Sequence, residues 1–359
     1  MKYTKEELCL IWLDSFIGLE YKHKKEIYQK IVSSSKIKDA ICSLKEYITT
    51  NIGENEYSLL LSSTTDEYLK FILGSLEKVG VTAITIYSKA YPDKLKEIEL
   101  SPLVLYAKGD LSLLNKDCFS IVGSRKAVQS SIAFTKEIAS TLINAGMVLV
   151  TGTADGVDAE VIKTALSKNA PIISVVAGGI EHIYPSTNVE LIERVAKTGL
   201  VISENPPDVK PMPYFFPIRN RIIAGLSVGT LVTSASIKSG ALYTAEYAVS
   251  FGRDLFAVPH AIGVKTGEGC NDLIKKGALL VDKPQDVLEF YGYEEEKNEE
   301  DLTESEKEIL NALESQTLHI ETIATKLNKQ PYEVLVTLQI LEIKGLVYKN
   351  GTNEYGRIK

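Results

Sequence analysis

The stretch Cys118–Ser131, CFSIVGSRKAVQSS, is an apolar run that stops at Gly123-Ser124 and passes at once into a helix-length segment. Strand, glycine turn and helix form the unit from which an open α/β sheet is wound. The unit recurs on both sides. VTAITIY, PLVLYAKG, GMVLVTG, PIISVVAGG, GLVISE, VGTLVTSAS, DLFAVPH and ALLVD read as further strands, most of the later ones followed by amphipathic helices. The pattern predicts, over residues 86–290, a doubly wound, Rossmann-like, mostly parallel sheet.

Three basic clusters stand where the helices of this sheet begin. In FPIRNRIIAGLS, Phe216–Ser227, Pro217 suits a first turn and Ile218, Ile222 and Leu226 share one face, which places Arg219 and Arg221 in that first turn. The helix dipole disfavours cations there by about 0.3–1 kcal/mol each at an exposed site. Arg125 lies at the beginning of the helix after Gly123-Ser124, and Lys238 precedes Ser239, the expected N-cap in SASIKSGALYTAEYA. Such helix starts gather above the carboxyl ends of the strands, where ligands bind. Gly123, Gly152, Gly178, Gly179 and Gly240 would allow close backbone approach, so the convergent expectation is a phosphate pocket.

Residues 1–85 show helical periods, with Leu8, Ile11, Trp12 and Phe16 followed by Gly18 and a basic helix. They fit a small domain of the sterile-alpha-motif or helix-hairpin-helix kind, or a helical accessory domain that contacts no DNA. Residues 291–302 read as an acidic linker. In 303–359, Thr303 and Glu306 predict a capping box, two more helices follow, and Asn350-Gly351 predicts a type I′ hairpin turn, together a winged helix. Nine acidic residues face seven basic ones from Asp301 to Lys359, which favours a protein-contact or regulatory role over duplex DNA.

The chain has 359 residues, 45% of them apolar, and a net charge of −7, which argues against coating nucleic acid by a bulk positive field. No apolar run reaches the roughly 18 residues of a membrane span. A charged N-terminus, MKYTKEELCL, predicts a cytoplasmic protein. Cys9, Cys42, Cys118 and Cys270, like the four histidines, lack metal-ligand spacing, and no metal or cofactor is expected. No GxGxxG follows an early strand and no GxxxxGK[ST] occurs, which points away from a dinucleotide oxidoreductase or a P-loop ATPase.

Residues 88–282 resemble the bacterial DNA-processing protein A (DprA, or Smf) family. The motifs that carry the resemblance run in order: YPDKLKEIELSPLVLYAKG, IVGSR, TGTADGVD, GGIEHIYPSTN, VISENPP, FPIRNRIIAGLS, KSGALYTAEYA, GRDLFAVPH and GCNDLIKKGA. The resemblance implies sequence-independent binding of single-stranded DNA and loading of the RecA recombinase, in DNA uptake or recombination, by a homodimer paired through the α/β domain. It implies no enzyme. Carried over, Arg125, Arg219, Asn220 and Arg221 would contact phosphates, with Lys238 adding charge beside Ser239-Gly240. Phe216 would either stack on a base or pack beneath its own helix. Four positions depart from the family pattern: Asp155, often arginine; Ile162, commonly histidine; Ser234, commonly acidic; and His260, usually glycine. Asp155 would repel a nearby phosphate.

The alternative is a nucleotide-binding enzyme of the phosphoribohydrolase type acting on a small nucleotide. That group carries PGGxGTxxE; no PGG occurs here, and Glu246 is the only near match.

Overall fold

The computed structural model describes residues 3–34, 36–292, 302–313 and 316–358. Most of the expected 291–302 linker therefore lies outside the described residues. The chain divides into two compact units, residues 1–295 and 296–359.

The first unit opens with α1 (Lys5–Asp14), α2 (Tyr21–Val32), α3 (Ile37–Ser43), α4 (Lys45–Asn51), α5 (Glu54–Ser62) and α6 (Asp66–Lys78). A capping box between Thr4 and Glu7 starts α1, which is buried along Cys9–Asp14. Its last residue anchors the helices to the sheet: Asp14 accepts a hydrogen bond from the Tyr106 hydroxyl at 3.0 Å and pairs with Lys24 at 2.6 Å.

The sheet contains β1 (Thr82–Thr85), β2 (Val104–Gly109), β3 (Cys118–Gly123), β4 (Val148–Thr151), β5 (Ile172–Val175), β6 (Leu200–Ser203), β7 (Gly229–Ser234), β8 (Asp254–Ala257) and β9 (Leu279–Leu280). All nine runs read as strands in the sequence form strands, the first of them, within VTAITIY, at Thr82–Thr85. Its order is β1-β2-β6-β5-β4-β3-β7-β8-β9, antiparallel where β2 meets β1 and β6 and parallel elsewhere. The chain winds outward from β3 through β4, β5 and β6, then crosses back to place β7 on the other side of β3, so the switch point lies between β3 and β7.

The strands are connected through α7 (Asp93–Lys96), α8 (Gln129–Asn144), α9 (Val157–Ser167), α10 (Val189–Thr198), α11 (Phe215–Leu226), α12 (Ala241–Ser250) and α13 (Glu268–Lys275). α14 (Gln285–Tyr291) follows β9. Strand residues alternate between two cores: Phe119 and Ile121 join α8, α9, α10 and the N-terminal helices, while Cys118 and Val122 join α11, α12 and α13.

The second unit is a winged helix: α15 (Glu304–Ala312), β10 (Leu318–His319), α16 (Ile320–Leu327), α17 (Pro331–Ile343), β11 (Val347–Lys349) and β12 (Glu354–Arg357). The Thr303–Glu306 capping box is present. The hairpin differs from expectation. Lys349 pairs with Tyr355, which leaves residues 350–354 between the last paired positions of the two strands, with positive φ at Gly351 and also at Asn353, rather than the two-residue turn expected.

Candidate nucleic-acid interface

A cleft of about 460 Å³ opens over the β3/β7 switch point. Gly123 comes from the end of β3, Ser124, Arg125 and Lys126 from the β3–α8 turn, Asp158 from α9, Phe216, Arg219 and Asn220 from α11, and Ser239 and Gly240 from the turn before α12. The turn is locked in place. Ser124 donates its N–H to the Ser234 carbonyl at 2.7 Å, the Ser124 hydroxyl accepts from Lys126 N–H at 3.1 Å, and a Cβ on Gly123 would press 2.6 Å from Val157. Arg125 and Lys126 are exposed in this turn, ahead of α8, so Arg125 does not occupy the helix start the sequence suggested.

α11 likewise begins at Phe215, which moves Arg219 and Arg221 beyond the first turn. Both are buried, and their fates diverge. Arg219 lines the cleft, donating Nε–H to Asn220 Oδ1 at 3.2 Å and Nη1–H to the Val175 carbonyl, while Nη2 lies against Gly152. Asn220 ties α11 to the α12 turn by donating to the Gly240 carbonyl at 3.1 Å. Arg221 does not join them. Two residues further on, a helix has turned by about 200°, and its Nη2 pairs with Glu204 at 2.6 Å away from this cleft.

The other expected residues divide similarly. Gly152 leaves room for Asp158 and Arg219, since a Cβ there would meet both side chains. Gly178 and Gly179 serve a different contact: they let the chain after β5 pack against the Pro206–Pro211 segment. Lys238 is exposed beside Ser239, whose hydroxyl accepts from Ala241 N–H at 3.4 Å. α12 is capped at Gly240, one residue later than expected.

Asp158, Lys126 and Thr266 line the cleft without having been singled out from the sequence. Burial pushes the Asp158 carboxyl up to about 6 against the opposing pull of Arg219, and burial lowers Arg219 to about 10. Asp158, ionised or protonated, is outnumbered in the cleft by Arg219 on the floor and the exposed Arg125 and Lys126 above it. The net sign of the cleft is positive.

Phe216 belongs to neither buried core. Arg125 lies over its ring, 5.5 Å from the centroid, and Tyr184 meets it edge to face at 5.6 Å. Tyr184, Pro211, Pro213 and Pro217 surround the two in an adjoining slot of about 470 Å³. The signal for Tyr184 was the YP of GGIEHIYPSTN, which places an aromatic residue beside a glycine loop.

The four departures from the family pattern are accommodated locally. Asp155 accepts hydrogen bonds from Thr187 at 3.1 Å and Asn188 at 3.3 Å and does not line the cleft. Ser234 donates to the Thr266 carbonyl at 2.9 Å, and His260 Nε2 lies 3.0 Å from the Thr233 carbonyl. Ile162 is fully buried. Glu246, the near match to an enzymatic glutamate, is exposed on α12 and lines none of the cavities described here. Among the described residues no three His, Cys, Asp or Glu side chains group to hold a metal ion, and no helix is long and apolar enough to cross a membrane.

Comparison with known proteins places this geometry. Residues 82–292 match the family model of DNA recombination-mediator protein A, and residues 294–349 match that of the DprA winged helix domain. The DNA processing protein DprA of Bacillus subtilis is 38% identical over 219 residues, which span 61% of this chain and 74% of that protein. Protein Smf of Escherichia coli is 32% identical over 289 residues, 76% of each chain. The structure of DNA processing protein A from Streptococcus pneumoniae superposes with a TM-score of 0.68 at 30% identity, covering 82% of this chain and 99% of that one. That of DNA processing protein A from Helicobacter pylori, described for its single-stranded DNA binding mode, gives 0.54 at 28% identity over 60% of this chain and 97% of that one. With a family model matched across the whole sheet and relatives of this identity, the chain belongs to the DNA recombination-mediator protein A family.

Proposed function

We propose that the β3/β7 cleft binds single-stranded DNA without sequence preference, that the bound strand is handed to a RecA recombinase during DNA uptake or recombination, and that the protein acts in the cytoplasm as a homodimer. One observation carries the binding step: exposed Arg125 stands over the Phe216 ring at the mouth of a cleft floored by Arg219. A cation for the phosphate beside an aromatic face for the base is the minimum apparatus for gripping a single strand, and every base has a π-face, so stacking tolerates any sequence. A duplex hides its base faces and is expected to bind more weakly. The family relation supports the partner and the pairing of subunits.

We read the protein as a binder rather than an enzyme. Phosphate contact, stacking and hydrogen bonding account for the cleft residues without a nucleophile, and Glu246, which the nucleotide-hydrolase alternative needs, lies outside the cleft. Titration with oligo-dT, a duplex of equal length and a mononucleotide tests the reading. Tight oligo-dT binding with weak duplex binding supports it; release of free base from a nucleoside monophosphate supports the alternative.

A further inference from the structure

Arg221 is 5% exposed, and after its Nη2 pairs with Glu204 its Nη1 remains buried without a hydrogen-bond partner. An orphan guanidinium N–H in a protein interior is costly and calls for an acceptor. Arg221 lines a separate cleft of about 290 Å³ on the far side of α11 from the Arg125 cleft. Its walls include Tyr21, Tyr247 and Phe251, the last two stacked with centroids 5.7 Å apart, and its rim carries Glu99, which has no ion-pair partner among the described residues. Leu100, next to Glu99, is held at φ 55° and is 52% exposed.

The chemistry of this cleft narrows its ligand. Glu99 and Glu204 repel a phosphate or carboxylate, and a cationic side chain, though drawn to the carboxylates, offers Nη1–H no acceptor. An apolar group leaves Nη1 orphaned. A neutral, planar heterocycle with an acceptor beside its N–H donors meets every group: the acceptor takes Nη1–H, the donors reach the carboxylates, and the faces stack on aromatic walls. Guanine, whose O6 acceptor adjoins the N1–H and N2–H donors, fits a site with more carboxylate than donor. Tyr21, Glu204 and Ile218 also line the neighbouring cavity that Arg219 borders, so a chain of cavities leads around α11 from the first cleft.

We propose that the Arg221–Glu204–Glu99 cleft is a nucleobase subsite, best suited to guanine, for a single strand that follows α11. The inference rests on the single-strand reading of the first cleft and qualifies it: one position gains a modest base preference while the rest remain open. Nη1 is covered in the unliganded chain, so a ring enters as a rim side chain such as the part-exposed Tyr21 turns aside.

Guanosine carries no phosphate and tests this subsite apart from the first cleft. Calorimetry with the full chain is expected to show guanosine binding at low millimolar concentration, several-fold tighter than thymidine. Glu99→Gln and Phe251→Ala are each expected to weaken it several-fold, and Arg125→Ala to leave it unchanged. A crystal soaked with guanosine should show the base against Arg221. Guanosine that fails to bind, binds no better than thymidine, or responds to Arg125→Ala but not to Glu99→Gln overturns the proposal, as does a soaked crystal holding water alone there. Oligo-dT that fails to bind the wild-type chain defeats instead the reading of the first cleft.

Discussion

Arg125 lies 5.5 Å from the centroid of the Phe216 ring, so the cation and the aromatic face reach the mouth of the cleft together, from two different segments of chain. The contact is part-exposed and contributes about 0.5–1 kcal/mol, too little to be a reason for the fold. Its consequence is positional, since each side chain limits the rotamers of the other. Phe216→Ala is therefore expected to weaken oligo-dT binding by about 1–3 kcal/mol, the range of a lost base–aromatic stack, with the melting temperature nearly unchanged. Equal losses in affinity and melting temperature would instead assign Phe216 to packing.

Asp158 and Arg219 both close on Gly152, where an added Cβ would press on the two side chains. Gly152→Ala is expected to cost about 1–3 kcal/mol of stability by overpacking and to reduce oligo-dT affinity further by displacing the Arg219 guanidinium. Chemical denaturation and a binding titration at a temperature where the variant remains folded separate the two effects. Unchanged affinity in the folded variant would remove Arg219 from the binding account.

The raised Asp158 carboxyl makes both stability and binding depend on pH. Its value in the folded chain, about 6, lies above the ordinary carboxylate value, so the folded state holds the proton more tightly than the unfolded state. Its contribution is full below about pH 4 and is lost as pH rises through 6. A bound phosphate raises the carboxyl again, so oligo-dT affinity at fixed salt should be several-fold higher at pH 5.5 than at 7.5. Asp158→Asn should flatten this dependence while keeping the side-chain oxygen that accepts from Ala154 N–H. The same pH profile in both forms would place the titrating group elsewhere.

The winged helix has no cationic surplus, and α17 leaves Tyr332, Val336, Ile340 and Ile343 exposed. Truncation after residue 295, at the border of the two compact units, should retain most of the affinity for oligo-dT. Sedimentation of the same truncated chain tests the dimer: a species of twice the chain mass is expected at micromolar concentration, and a strict monomer with undiminished binding counts against pairing through the sheet unit.

The strands were legible because each is a short apolar run set off by turn residues, glycine at the end of β3 and after β4 and β5 and proline after β6 and β8, a pattern that is local in the chain. The positions of the arginines were not. Pro217 looks like a helix start because its missing N–H suits any of the first turn's unpaired positions, yet the helix begins at Phe215. That shift leaves unsettled which side of α11 each arginine faces, and only packing sends Arg219 to the cleft and Arg221 to Glu204. Asp158 escaped notice for a related reason. A carboxylate in a glycine loop reads as a turn residue until burial beside Arg219 shows its charge to be part of the cleft. The turn at Asn350-Gly351 misled because the dipeptide fits a two-residue hairpin, whereas Asn353 also adopts positive φ and lengthens the loop.

The salt dependence of binding tests the central claim most directly. Each phosphate neutralised on a single strand contributes about −0.7 to the slope of log affinity against log salt. If Arg125 grips a phosphate, Arg125→Ala weakens oligo-dT binding and flattens the slope by about 0.7, while the melting temperature holds. Arg221→Ala, which breaks the pair with Glu204, lowers the melting temperature and leaves the slope as it was. An Arg125→Ala slope equal to that of the wild type, or a slope change in Arg221→Ala instead, would contradict the assignment of the DNA backbone to the β3/β7 cleft.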